Sequence, residues 1–167
     1  MTDLPHLNPA GEARMVDVSA KAVTARTASA AGFVRLTPAC VAALRDRSVP
    51  KGDALAVARI AGIQGAKKTP DLIPLCHPLS LSGVDVVAVV HDDGVEITAT
   101  VKTTDRTGVE MEALTAVSVA ALSLVDMVKA IDKAAVITDV RVLTKTGGRT
   151  GDWRREDRGP SPTTDRT

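Results

Sequence analysis

The chain has 167 residues, enough for one domain with a real core, and 44% of them are hydrophobic, which excludes wholesale disorder. One Phe, one Trp and no Tyr leave a core of Ala, Val, Leu and Ile and remove the aromatic platforms on which single-stranded nucleic acid stacks. A net charge of +1 gives no electrostatic reason to bind DNA or an anionic membrane, and two cysteines, Cys40 and Cys76, are too few for a disulfide scaffold.

No signal-peptide pattern opens the chain, and no run is read as approaching the ~18 apolar residues of a membrane span. The expectation is a cytoplasmic protein with no nucleic-acid and no membrane partner. Residues 1–20 carry no sustained period and read as a flexible N-terminal arm. Residues 21–36, with Val23, Thr24, Thr27 and Val34, read as a strand. Thr37 as N-cap and Pro38 at the first helical position open a short helix over 37–47. A second helix over 51–70 takes Asp53 as N-cap and stops before Pro70. "GVDVVAVVH" and "GVEITATVKTT" flank Asp92–Gly94, a strong hairpin signal. A long helix over about 108–131 is apolar on almost every face, as expected for one buried against a sheet on one side and a second subunit on the other. Residues 134–148 read as a last strand ending at paired glycines.

The order strand, helix, strand, strand, helix, strand is the β-α-β-β-α-β arrangement of an α+β, ferredoxin-like sandwich, an antiparallel sheet with helices on one face. One domain over 21–153 follows, with a polar, Pro-containing tail over 154–167 read as disordered. The uncovered sheet face predicts an oligomer.

Three groups of residues carry candidate chemistry. Cys76–His77 sits in the Pro-bracketed loop "PLCHPL". A structural zinc site needs about four Cys/His ligands, and the chain has two cysteines and three histidines. A nucleophilic pair needs facing side chains, whereas neighbours in an extended segment point to opposite sides. A satisfied structural histidine is the common case, but this loop setting keeps His77 as a candidate ligand donor beside a packed Cys76.

On the long helix Glu110, Glu112, Asp126 and Lys129 interrupt apolar sequence. Asp126 and Lys129, three apart, share a face. A surface ion pair is the ordinary reading, yet the flanks "LSLV", "MV" and "AI" place the pair in apolar surroundings, where desolvation lowers a lysine pKa into a useful range. Glu112 and Asp126 lie ~21 Å apart along one helix, so both serve one small reacting centre only if copies of the helix meet. Lys51, Lys67, Lys68, Lys145 and Arg149 fall at element ends or beside glycine. "KTGGRTGDW" at 145–153 offers a backbone phosphate cradle but lacks the P-loop order. The pattern predicts acid/base chemistry on a small anionic substrate in a shared pocket.

The blocks "HLNPAGEARMVDVSAK", "KGDALAVARIAGIQGAKKTPDLIPLCHPL", "VEMEALTAVSVAALSLVDMVKAID" and "KTGGRTGDW" resemble the molybdenum cofactor biosynthesis protein C family, the cyclic pyranopterin monophosphate synthases, from about residue 6 to 153. The resemblance implies a ferredoxin-like lyase. It assembles as a homohexamer, a trimer of dimers, with active sites at the dimer interface. It converts 3′,8-cyclo-7,8-dihydroguanosine 5′-triphosphate to cyclic pyranopterin monophosphate and pyrophosphate. It implies catalytic roles for Asp126, Lys129 and Lys51, and substrate contacts for Leu75, Cys76, His77, Met111 and Glu112. Arg26, Lys67 and Lys145 match its basic pocket, and Glu110 joins the substrate-binding set. No metal site and no redox cofactor are implied; Mg²⁺ can accompany the triphosphate. The rival from another class is a non-catalytic, nucleotide-binding regulatory module of the same fold.

Overall fold

In the computed structural model, which describes residues 6–148 and 151–156, the elements run β1 (Thr24–Arg35), α1 (Pro38–Arg45), α2 (Ala54–Lys67), α3 (Thr69–Leu72), β2 (Leu81–His91), β3 (Gly94–Asp105), α4 (Glu110–Val128), β4 (Val136–Thr146) and β5 (Trp153–Arg154). The sheet order is β2-β3-β1-β4-β5, and every neighbouring pair is antiparallel. The first four strands and two long helices make the expected ferredoxin-like α+β sandwich.

Local chemistry sets most boundaries. Asp53 caps α2 by accepting from the Ala56 N–H at 2.9 Å. Thr37 precedes Pro38 as expected, but its hydroxyl makes no cap; instead its N–H donates to the Asp132 carboxylate at 2.7 Å. Helix α2 ends at Lys67, and Pro70 lies in the first turn of α3, where its missing N–H costs nothing. Asp92 and Asp93 make the two-residue turn of the β2–β3 hairpin.

Strand alternation sorts β3 into buried Val95, Ile97, Ala99, Val101 and Thr103, facing the helices, and Glu96, Thr98, Thr100 and Lys102 on the other face. Helix α4 crosses the middle of the sheet and buries Ala113, Ala116, Val117, Ala120, Ala121, Leu124 and Val128. Leu124 is fully enclosed, and cutting it to alanine removes about 2–5 kcal/mol. A core of alanines lets helices approach closely. A Cβ at Gly62 would meet the Ala116 carbonyl at 2.9 Å, and one at Gly65 would meet Val119 at 2.7 Å, so α2 and α4 touch backbone to side chain.

Contrary to the reading of the sequence, one stretch does reach a membrane-span composition. Helix α4 is long and apolar enough by length and composition, but more than half of it is buried inside the fold, against the sheet and α2. On the uncovered face Val87 and Val89 stand 43% and 46% exposed.

Candidate active site

Two groups of side chains form, one at each end of α4. At its start, Glu110 and Glu112 lie in the first helical turn, where the macrodipole favours anions. Glu112 is nonetheless only 3% exposed, and burial pushes its carboxyl up to about 7; its own N–H opposes the rise and the Glu110 carboxylate adds to it. Beside it lies a cavity of about 570 Å³ whose walls include Leu75, Cys76, His77, Glu110, Met111 and Glu112. All six were expected site residues. A cavity of about 440 Å³ on the uncovered sheet face, around Phe33 and Arg141, includes none of them.

Strand parity brings the basic residues to the same end. Arg26 and Ala28 share the helix-facing side of β1, and Ala28 pairs with Lys145 of β4. Lys145 Nζ reaches Glu110 Oε1 at 3.1 Å. Arg26 donates from Nε to the Asp105 carbonyl at 3.0 Å and from Nη2 to the Arg106 carbonyl at 3.1 Å. Gly147 and Gly148 follow β4 with φ near +83° and +81°, a conformation that favours glycine. A Cβ at Gly148 would collide with Arg26 Nη1, so the paired glycines make room for the guanidinium.

The Cys76–His77 loop corrects a premise. The chain leaves α3 through a turn, with the Cys76 N–H donating to the Ile73 carbonyl at 3.1 Å, and both side chains line the cavity. The nucleophile reading fails on other grounds. Burial and the neighbouring Glu112 push the Cys76 thiol up, away from thiolate, and His77 Nε2 is engaged with the Val16 carbonyl at 2.7 Å. Among the described residues no group of three or more His, Cys, Asp or Glu side chains is arranged to hold a metal ion.

At the far end of α4, Lys51 and Lys129 converge on Asp126. Lys129 Nζ lies 2.7 Å from Oδ1 and Lys51 Nζ 2.8 Å from Oδ2; Lys51 also donates to the Asp126 carbonyl at 2.7 Å. The hydrogen bonds from Lys129 and then Lys51 hold the Asp126 carboxyl down at about 2. The expected apolar surroundings are absent. Asp126 and Lys129 side chains are 56% and 58% exposed in the single chain, and Leu122, one turn earlier, is 61% exposed. Residues 122, 126 and 129 share one helical face, and that face points away from the sheet; the apolar flanks Met127 and Val128 point the other way.

Helices α2 and α4 run antiparallel, since Lys51 before α2 meets the end of α4 while Cys76 beyond α2 meets its start. Lys67, in the last turn of α2, is exposed at the Glu112 end, and among the described residues it pairs with no other site residue. One chain thus assembles Arg26, Lys145, the Cys76 loop and Glu112 in one place and Lys51, Asp126 and Lys129 in another.

Sequence reasoning did not single out the arm residues Val16, Val18 and Lys21, which also line the cavity. The signal was there: half-buried Val16 and Val18 alternate with exposed Asp17 and Ser19, a two-residue period that marks one face held inward.

The MoaC family profile matches residues 15–148, both ends of α4 included. The chain belongs to the MoaC family. It is 73% identical over 152 residues to the cyclic pyranopterin monophosphate synthase of Streptomyces coelicolor, covering 91% of this chain and 89% of that protein. It is 68% identical to the protein of that name from a Nocardioides species, over 91% of this chain and 95% of the relative. Against cyclic pyranopterin monophosphate synthase 2 of Mycobacterium tuberculosis it is 60% identical, over 92% of each. All the residues of both clusters fall within the span of the MoaC match.

Proposed function

We infer that this chain catalyses the reaction that names its relatives. It converts 3′,8-cyclo-7,8-dihydroguanosine 5′-triphosphate to cyclic pyranopterin monophosphate and pyrophosphate in molybdenum cofactor biosynthesis. The identity to synthases across nine-tenths of the chain carries this reading. Closing a cyclic phosphate requires a substrate hydroxyl to lose its proton, attack the α-phosphorus and expel pyrophosphate. The cations Arg26, Lys67 and Lys145 meet the triphosphate and stabilise the charge growing on the leaving group. Leu75, Cys76, His77, Met111, Glu110 and Glu112 hold the purine-derived end.

Proton movement belongs to Lys129 and Lys51, with Asp126 as the ionised carboxylate that fixes both ammoniums within 2.8 Å. Glu112, raised to about 7, holds an exchangeable proton at neutral pH. The reaction uses no resident cofactor, and any Mg²⁺ enters on the triphosphate as part of the substrate.

The two clusters stand at opposite ends of α4, ~21 Å apart, so we propose that two copies build each site. Exposed Val57, Ile60 and Leu122, at 42%, 58% and 61%, give α2 and α4 an apolar outer surface beside Asp126, suited to a second copy. The assembly proposed is a homohexamer, a trimer of dimers, in the cytoplasm. Following pyrophosphate released from the cyclised nucleotide tests the reading. Tight binding without release would favour the regulatory module instead.

A further inference from the structure

Given the function proposed above, the Glu112 cavity has to hold the purine-derived end of its substrate between stretches of chain far apart in sequence. Leu75, Cys76, His77 and Leu79 line it from one loop, and Thr107 and Gly108 line it just before α4. The loop, residues 73–80, joins α3 to β2 without a helix or strand of its own. Pro74 and Pro78 have no N–H to offer, so the loop has fewer donors with which to anchor itself. Its first turn is closed by the Cys76 N–H on the Ile73 carbonyl at 3.1 Å. Its last residue is held from outside, where Thr103 Oγ1 donates to the Ser80 carbonyl at 2.7 Å.

Thr103 is the exception in its row. The inward positions of β3 before it are Val95, Ile97, Ala99 and Val101, all apolar, and Thr103 is itself 2% exposed. Valine has the same shape and would pack there with no polar atom to satisfy, whereas a buried hydroxyl is tolerated only when it is bonded. The backbone at this point is already fixed, because Thr103 pairs with Arg26 of β1 and with Leu81 of β2. Between Leu81 and Gly83 strand β2 carries one extra residue against β3, a bulge that bends it where the loop enters. The hydroxyl therefore pins the carbonyl just ahead of that bend. Thr103 stands four residues before Thr107 and, through Ser80, next to Leu79, so one side chain ties both lining stretches to the sheet. We propose that Thr103 is a positioning residue for substrate binding, whose hydroxyl sets the 75–79 loop against the 107–108 stretch.

The test compares the full chain as wild type, Thr103→Val and Thr103→Ser. The first variant keeps the shape and removes the hydroxyl; the second keeps the hydroxyl and leaves a methyl-sized gap. Ser80 is exposed, so water replaces the lost donor, and Thr103→Val should melt no lower than Thr103→Ser. Affinity should run the other way. In Thr103→Val, equilibrium binding of the cyclised nucleotide weakens and KM rises about 3- to 10-fold. Its kcat stays within about threefold of wild type, and Thr103→Ser binds within about twofold of wild type. A residue that only supports the fold would rank the two variants alike in melting temperature and affinity. Hydrogen exchange on the ligand-free protein reads the loop itself. Residues 73–80 should exchange at least about threefold faster in Thr103→Val, with the body of α4 unchanged. Unchanged affinity in Thr103→Val, unchanged exchange over 73–80, or equal loss of affinity in both variants overturns the inference. A wild-type protein that releases no pyrophosphate breaks the functional reading instead, and the exchange comparison still decides whether Thr103 holds the loop.

Discussion

At the start of α4 a carboxyl, Glu112, is 3% exposed and raised to about 7; at its end another, Asp126, has a side chain 56% exposed and is lowered to about 2. Both are acidic residues on one helix, and their environments push them apart. Burial without a cationic partner protonates the first; hydrogen bonds from Lys129 and Lys51 ionise the second. At neutral pH the start of α4 therefore carries a movable proton, whereas its end carries a fixed anion that organises two ammoniums. The function proposed above draws on both ends, with proton transfer by Glu112, Lys51 and Lys129 and Asp126 as the anchor of the two ammoniums.

Several substitutions break or sharpen this contrast. The largest effect is expected at the fixed-charge end. Lys129→Ala should lower single-turnover pyrophosphate release by about 10²–10⁴-fold while substrate binding persists. Lys129→Arg should fail nearly as badly, because a guanidinium does not give up its proton near neutral pH. An arginine variant with substantial rate would assign Lys129 to charge alone.

Glu112→Gln should cost about 10²-fold in kcat and erase an ionisation near pH 7 from the kcat profile. Stability supplies a second readout. The folded carboxyl, at about 7, binds its proton more tightly than the unfolded one, so wild type loses stability as pH rises from about 4.5 to 7. Glu112→Gln should therefore melt above wild type at pH 8, with the advantage shrinking by pH 5.5. A pH-independent difference would remove the burial argument.

Asp126→Asn inverts the comparison. Its carboxyl is lowered, so its contribution to stability is present above about pH 3.8 and is lost as pH falls through about 2. An exposed ion pair adds little, and the melting temperature at pH 7 should hardly move while activity falls. A large thermal loss would mean that this end is part of the core. The smallest effect is expected from Cys76→Ser, which should keep most activity because the raised thiol is no nucleophile. Near-complete loss in a folded protein would revive that role.

The fold was legible because local signals agreed. Asp53 caps α2 as its position promised, the Asp92–Asp93 turn sits between alternating runs, and the apolar helix crosses the sheet. The site was legible only in pieces. Apolar neighbours in sequence suggested a buried Asp126–Lys129 pair, but residues 122, 126 and 129 form the outward face, and neighbours one position away point elsewhere. The Lys51–Asp126 and Lys145–Glu110 pairs join residues 75 and 35 positions apart; local pattern carries no trace of such distances. Glu112 and the Cys76 loop, which line one cavity, are likewise brought together from distant parts of the chain.

That the two ends of α4 meet only between copies is the central claim, and subunit mixing tests it most directly. Glu112→Ala and Lys129→Ala proteins, each inactive alone, are dissociated, mixed in equal amounts and reassembled, with subunit exchange verified by differently tagged chains. If each site takes Glu112 from one copy and Lys129 from the other, half the sites in mixed dimers escape both substitutions. Activity should then return to about a quarter of wild type. No recovery in verified mixed assemblies would place both ends of the site within one chain and contradict the account.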